Sequence, residues 1–297
     1  MLIAPERLVR NFNPPIIMRN LPTLLAFAAI LVFGCACGKK TTSIQESYSS
    51  SKNVKPGEIE KTYDIAGYKA IEATGAISVI FTQSDDYAPV RVVGPKKLME
   101  IFEIRRKGDD LLLGFTGRTP QTVRQDAHSA PEQAVVTVYI AAPAPEDIDM
   151  SASAVFYSER IACRGELSLD ASGASFIAID SLTAAEVEAE ASSAAHIFVG
   201  EVCQVSGELS VDASTAGEVS LNGIAAGEVT AEASGAGGVL LVGKTAKAGF
   251  SASSAGNIDA GNLQATKGVA RASSGGSIAR SFKRDMGSHS STGGSIY

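Results

Sequence analysis

A four-residue motif, Ala-Ser-small-Ala, recurs about once every twenty residues through the C-terminal half of the chain. Eight copies follow one another in steps of 18 to 22 residues, and an isolated early copy begins at Ala73. The eight copies begin at Ser151, Ala171, Ala191, Ala213, Ala233, Ala252, Ala272 and Ser290. Self-similarity at such a period is typical of stacked repeats, in which each unit is too small to close a core and is completed by its neighbours. The repeat therefore constrains shape far more than chemistry.

The residues that flank the motif alternate between apolar and polar. An apolar residue stands six positions after the start of every copy: Tyr157, Ile177, Ile197, Val219, Val239, Ile258, Ile278 and Ile296. A period of two indicates strands, and helical spacing is not seen. Each unit is therefore expected to hold two short strands, a tight corner and a closing turn. Stacked in register, the units predict an all-β fold, a right-handed parallel β-helix whose coils lie ~4.8 Å apart.

The last position of the motif is always small. Its members are Ala154, Ala174, Ala194, Ala216, Ala236, Ala255, Gly275 and Gly293. We expect these residues to stack as a ladder on the inside of the bend. On that interpretation Ala216→Leu is poorly tolerated, because a rigid stack cannot relax around a larger side chain.

The N-terminal half is less regular and is expected to cap the solenoid or to form its first coils, since an uncovered end exposes strand edges. Strands are predicted at Ile77–Thr82, Val90–Val93, Phe102–Arg106, Leu111–Phe115 and Val135–Ala141. A short helix is predicted at Pro95–Ile101, a hairpin turn at Gly108-Asp109, and a polar loop over residues 116–133. The predicted division is a signal segment (1–34), a flexible tether (35–58), the N-terminal β region (59–149) and the repeat solenoid (150–297), the last two forming one domain.

The first residues resemble a lipoprotein signal. Met18-Arg19-Asn20 is a short basic start, and the apolar run Leu21–Phe33 is short for a membrane span. Gly34 before Cys35 fits a lipoprotein cleavage box, so Cys35 is the predicted lipidation site, with Cys37 as the alternative. Translation from Met18 instead of Met1 is also consistent with this pattern. The sequence predicts a cell-envelope protein that is lipid-anchored to the outer membrane, on either its periplasmic or its surface side.

Net charge excludes some partners. Cleavage after residue 34 removes three basic residues and one acidic residue, which leaves 23 basic and 31 acidic residues. This balance argues against nucleic acid as a partner and against electrostatic adhesion to anionic lipid. The predicted partners are the membrane, through the lipid anchor, and a glycan or protein ligand. No cofactor is predicted.

Acidic residues recur at two outward positions of the repeat. One column holds Glu166, Glu186, Glu208 and Glu228, and the other holds Asp170, Glu190, Asp212 and Glu232. Rows of carboxylates suit Ca²⁺, so one interpretation is a cation or ligand face. The other is a solvated face that keeps a flat sheet soluble. Towards the C-terminus the same columns turn basic at Lys247, Lys267 and Arg271.

Cysteine and histidine offer little sign of catalysis. Cys163 and Cys203 fall in one column two coils apart, which is beyond disulfide reach, so unpaired packing thiols are expected. His128, His196 and His289 are dispersed, and His196 is expected on an outward column beside Phe176 and Glu218. No catalytic or metal residues are predicted.

Several segments together resemble a known family. They are Ile71–Val79 leading into Phe81-Thr82-Gln83, then Gly108–Leu113, Val136–Ile140 and the repeated Ala-Ser-Gly-Ala corners. The chain from about residue 60 to residue 297 is similar to the putative auto-transporter adhesins with a head GIN domain. The resemblance implies a β-helical, cell-envelope, often lipid-anchored protein without established catalytic residues. The residue 116–133 insertion and the alanine-rich corners depart from the family pattern.

Three functions follow from these features. The first is a non-enzymatic adhesin or binding scaffold, for which Phe156, Phe176 and His196 are expected to be outward contact residues. The second is a structural or stress-related component of the envelope. The third is a polysaccharide-active enzyme, which the lack of tryptophan disfavours because sugar-binding grooves use aromatic platforms.

Overall fold

The computed structural model describes Val54, residues 57–117 and residues 135–297. The predicted signal segment with Cys35, most of the tether, His128 and nearly all of the polar loop lie outside the described residues. Within the described ranges, no helix combines the length and the apolar character needed to cross a membrane.

The described chain is built almost entirely of strands, which join into one 19-stranded sheet. The strands are β1 Glu58–Tyr63, β2 Ala70–Thr74, β3 Ile77–Gln83, β4 Val90–Pro95, β5 Phe102–Lys107, β6 Asp110–Phe115, β7 Val136–Ala142, β8 Asp147–Ser151, β9 Val155–Ala162, β10 Glu166–Ala171, β11 Phe176–Ala184, β12 Glu186–Ser192, β13 His196–Ser214, β14 Glu218–Ala233, β15 Gly238–Ala252, β16 Asn257–Ala272, β17 Ser277–Phe282, β18 His289–Ser290 and β19 Ser295–Ile296. One short helix, α1, spans Lys96–Met99. The strands, the helix and the Gly108-Asp109 hairpin predicted for the N-terminal half are confirmed.

Successive coils pair in parallel through three segments, so each coil has three faces and not the two strands predicted. In the pairing of β13 with β14 the segments are His196–Val199, Cys203–Val205 and Glu208–Ala213, separated by shifts in register. We call the corresponding sides of the rod the first, second and third faces. Short segments of this kind let the chain turn between faces while it keeps its hydrogen bonds to the coils above and below.

The predicted core columns form as expected. Ile177 pairs with Ile197, and Ile197 pairs with Val219. All three side chains are buried and belong to one continuous hydrophobic core that runs along the rod. Stacking neighbouring coils is what removes these side chains from water, because one coil has no interior of its own.

The first copy of the repeat is displaced by one residue from its predicted alignment. Met150, not Ser151, pairs with Ala171, and Phe156, not Tyr157, pairs with Ile177. Phe156 is fully buried, so its predicted role as an outward contact residue is wrong. The alignment failed because Met150 occupies the position where the later copies have alanine. The small residues 151–154 that follow it match the motif one residue too late.

The predicted position of the small column inside the bend is also wrong, except at Ala154, which is buried because the first copy is displaced. The Gly217 amide donates to the Ser214 carbonyl at 2.7 Å, and Thr215 and Ala216 between them have φ of 48° and 69°. Positive φ at both central residues defines a type I′ turn. Ala216 is exposed at its tip, so the interior offers no reason why Ala216→Leu should fail.

The buried small column lies one residue later in the chain. It is glycine in four consecutive coils: Gly217, Gly237, Gly256 and Gly276. A Cβ atom at any of these glycines would lie 2.1–2.3 Å from a carbonyl oxygen of the preceding coil. These positions, and not the turn tips, are where the stack has no room for a side chain.

The N-terminal half caps the solenoid, as predicted. Strands β2 and β3 form a coil directly on β8 and β9, which confirms Ala73 as an early copy. Beyond that coil lie the hairpin β5–β6 and the antiparallel pair β1–β4. On the second face the Gln83 amide covers the first strand edge, because it both donates to the Ala162 carbonyl and accepts from the Ala162 amide, at 2.9 and 2.7 Å. Covered edges discourage pairing with other chains. The division into domains at residue 150 stays a prediction.

Candidate binding surfaces

The two acidic columns form on the third face in the predicted register. Asp170, Glu190, Asp212 and Glu232 stand opposite one another in successive coils. Glu166 pairs with Glu186, and Glu208 pairs with Glu228. The Asp170 column continues through Asp149 and Glu72, which were not predicted because these residues come from β8 and β2, before the regular repeat. The third face is therefore a ladder of carboxylates along most of the rod.

Crowding and burial raise the pKa values of several carboxyl groups on this face. The pKa of Asp147 is raised to about 6, first by burial and then by the nearby Asp170 and Asp149 carboxylates. Its Oδ1 atom is buried without a hydrogen-bond partner. Burial, followed by the Asp170 charge, also raises the pKa values of Asp149 and Glu190. The third face consequently holds its negative charge at a cost to folding.

Stability is expected to rise as the pH falls from about 7 towards 5. A carboxyl whose pKa is higher in the folded state binds protons more readily there, so acidification through its folded pKa of about 6 favours folding. Asp147→Asn should raise the unfolding midpoint at neutral pH and flatten this dependence, while Asp259→Asn on the first face serves as control. Urea unfolding at a series of pH values measures both. An unchanged pH profile in Asp147→Asn would contradict the assignment.

Among the described residues, no group of three or more His, Cys, Asp or Glu side chains is arranged to hold a metal ion. Both interpretations of the columns, a cation or ligand face and a solvated face, stay predictions. Calorimetric titration with Ca²⁺ separates them.

The rod is strongly polarised in charge. Residues 165–236 contain twelve acidic and no basic residues, whereas residues 237–297 contain seven basic and two acidic residues. The two regions meet where the Lys247 ammonium lies 3.1 Å from the Glu228 carboxylate. In the next coil Lys247 is followed by Lys267. The predicted change of sign along the columns is confirmed.

Aromatic side chains line part of the first face. Phe176 and His196 stack in neighbouring coils with ring centroids 6.3 Å apart, and the His196 Nδ1 atom lies 3.2 Å from a Glu218 oxygen. The hydrogen bond with His196 lowers the pKa of Glu218. Tyr157 donates to Asp180 at 2.8 Å. Phe176 and His196 are only partly exposed, and they lie side by side as predicted.

The two described cysteines are free and lie in different columns. Cys203 stands in the column of Leu182 and Ile161, so the shared column predicted for Cys163 and Cys203 is wrong. The prediction failed because both steps are one residue longer than the predicted twenty: the first copy is displaced by one residue, and β13 holds one extra residue where the register shifts between Ile179 and Ser181 of β11. Cys203 is buried in the core, and this burial raises the pKa of its thiol to about 12, as is typical of a packing cysteine.

A groove of about 700 Å³ lies where the second face meets the cap. Its lining includes Gln83, Asp85, Glu146, Cys163 and Arg164. This groove was not predicted, since its walls come from strand ends and loops that are distant along the chain. The Glu146 carboxylate at its rim is paired with Lys69 at 2.9 Å.

The fold and its surfaces define a class: a capped, three-faced β-solenoid that presents charged and aromatic columns. The family of putative auto-transporter adhesins, head GIN domain, matches residues 67–204 and 201–297, and the chain belongs to this family. No curated protein sequence matches the chain.

Solved structures share the fold at low sequence identity. A putative adhesin from Parabacteroides distasonis superimposes with a TM-score of 0.63 and 17% identity, covering 82% of this chain and 97% of that chain. A putative adhesin from Parabacteroides merdae gives 0.56 and 14%, with 82% and 96% covered. A putative lipid binding protein from P. distasonis gives 0.51 and 14%, with 82% and 97% covered. At these identities the likeness extends to the fold alone.

Proposed function

We propose that the protein is a lipid-anchored adhesin or binding scaffold of the cell envelope that acts without catalysis. The observation that carries the proposal is the rod itself, whose faces repeat the same kind of side chain at each coil. Such columns suit an extended partner that contacts many coils at once. Membership of an adhesin family supports the same function.

Lipid anchoring through Cys35 is the part of the proposal that fixes the location. Replacing Cys35 with serine is expected to abolish incorporation of labelled fatty acid and to release the protein from the membrane fraction. Cys37→Ser serves as control and should leave both unchanged. The opposite pattern would place the anchor at Cys37, and fatty-acid labelling of neither parent nor variant would contradict the anchor.

Adhesion itself is tested in cells. Deleting the gene should reduce attachment to glycan- or matrix-coated surfaces, and the wild-type chain should restore it. Protease treatment of intact cells shows whether the rod is exposed. A deletion strain that attaches normally but has a weakened envelope would favour the structural role instead.

A further inference from the structure

The basic end of the rod contains a second groove, at the corner between the second and third faces. It has a volume of about 500 Å³. Lys244 and Lys283 line it, together with Ser206, Gln264 and Thr266. None of the described residues that line this groove is acidic or aromatic.

Two more lysines stand on the third-face side of the same corner. Lys247 directly follows the lining residue Ala246, and Lys267 directly follows Thr266. These lysines face each other in register across adjacent coils. Like charges at that spacing repel, and of this pair only Lys247 has a described carboxylate partner, Glu228. An anion bound along the corner would relieve the repulsion.

We propose that this lysine groove binds a segment of a linear acidic polysaccharide, one that carries carboxylate or sulfate groups. The proposal rests on the proposed function, for which it names the partner. Ammonium groups on both sides of the groove would neutralise the anionic groups of the chain. Hydroxyl and amide groups of Ser206, Gln264 and Thr266 would form hydrogen bonds with the sugar hydroxyls.

The shape of the site favours a glycan strand over a membrane. Lys244 and Lys283 line a groove that extends from coil to coil along the rod, whereas a bilayer offers a flat plane. A flat anionic surface laid on this side would also meet Glu208 and Glu228, which stand in the Lys247 column. Repulsion from these carboxylates would oppose membrane docking.

The site is short, and none of its described lining residues is aromatic, which argues against nucleic acid as the ligand. The groove runs from Ala225 through Lys244 and Gln264 to Lys283, about four coils, or ~14 Å at the spacing of paired strands. Grooves for single-stranded nucleic acid add aromatic side chains on which bases stack, and none lines this groove.

The test compares two double variants of the mature protein. Lys244→Glu with Lys283→Glu reverses the charge of the groove. Lys96→Glu with Lys97→Glu makes the same charge change on exposed lysines of α1 at the capped end. Fluorescence titration uses heparin and polygalacturonate oligosaccharides, with neutral dextran, an oligothymidylate and phosphatidylglycerol vesicles as comparison ligands. We expect the acidic oligosaccharides to bind in a salt-sensitive way and the groove variant to lose about tenfold or more in affinity, with the α1 variant unchanged.

Each other outcome overturns the groove proposal. Equal losses in both variants would show a general charge effect, and tighter binding of oligothymidylate or vesicles would identify a different partner. If no acidic glycan binds but cells still need the protein for attachment, the groove proposal fails and the adhesin function stands. If attachment is also independent of the protein, the proposed function itself fails.

Discussion

Gly237→Ala is expected to destabilise the solenoid by about 3 kcal/mol or more, because overpacking against a rigid backbone leaves no relaxed arrangement. A Cβ atom there would lie 2.1 Å from the Ala213 carbonyl oxygen and 2.5 Å from its carbon. Ala213 is paired on both sides, with Ala191 and Ala233, so it is not free to withdraw. Urea unfolding followed by circular dichroism should show the lower midpoint.

The neighbouring turn tip provides a matched control for this variant. Ala236 is exposed, with φ of 71°, a conformation that glycine adopts without strain. The free energy of unfolding of Ala236→Gly is therefore expected to exceed that of the parent by no more than about 1 kcal/mol. Because solenoids can open coil by coil, hydrogen exchange should locate the damage of Gly237→Ala in the coils around Ala213 and Gly237. Equal stability of the two variants would contradict the position assigned to the buried small column.

Phe156→Ala is expected to cost about 3–5 kcal/mol, the range for removing a buried aromatic side chain. Phe156 has no exposed surface and stacks on Phe81 with ring centroids 5.8 Å apart. Its loss would leave a cavity between the cap and the first repeat coil. The free energy of unfolding from urea titration measures the effect, and the transition should begin at the capped end.

Phe176→Ala is the matched control, because it removes the same side chain from an outward position. Phe176 begins the next coil's first-face segment but points outward and is partly exposed. Its replacement should cost no more than about 1 kcal/mol. If Phe156→Ala cost as little as Phe176→Ala, the one-residue shift of the first copy would be wrong.

The sequence predicted the stack of coils because burial imposes a period of two that hydropathy reveals. Ile177, Ile197 and Val219 could be aligned from the chain alone, since their polar neighbours mark the outward positions. The turn tips could not be placed, because alanine, serine and glycine differ little in hydropathy. Only the backbone shows that Ala216 lies outside while Gly217 lies inside. The second face was missed as a separate strand because its corner with the third face is made of equally small residues.

The candidate surfaces were predictable to different degrees. The acidic columns were found because charged residues recur at the same phase as the motif. The raised pKa of Asp147 was not, because it depends on carboxylates from several strands. The lysine groove was missed for the same reason, as Lys244 and Lys283 come from coils whose register the sequence does not give.

Distances between spin labels on one outward column test the parallel stack most directly. Val155, Asn257, Ser277 and Ser295 share a first-face column and are linked by pairings from coil to coil. With the native cysteines replaced, double electron–electron resonance from a label at Val155 should give distances of ~24, ~29 and ~34 Å to labels at Asn257, Ser277 and Ser295, one coil spacing apart. Distances that do not increase by one coil spacing from each position to the next would contradict the account.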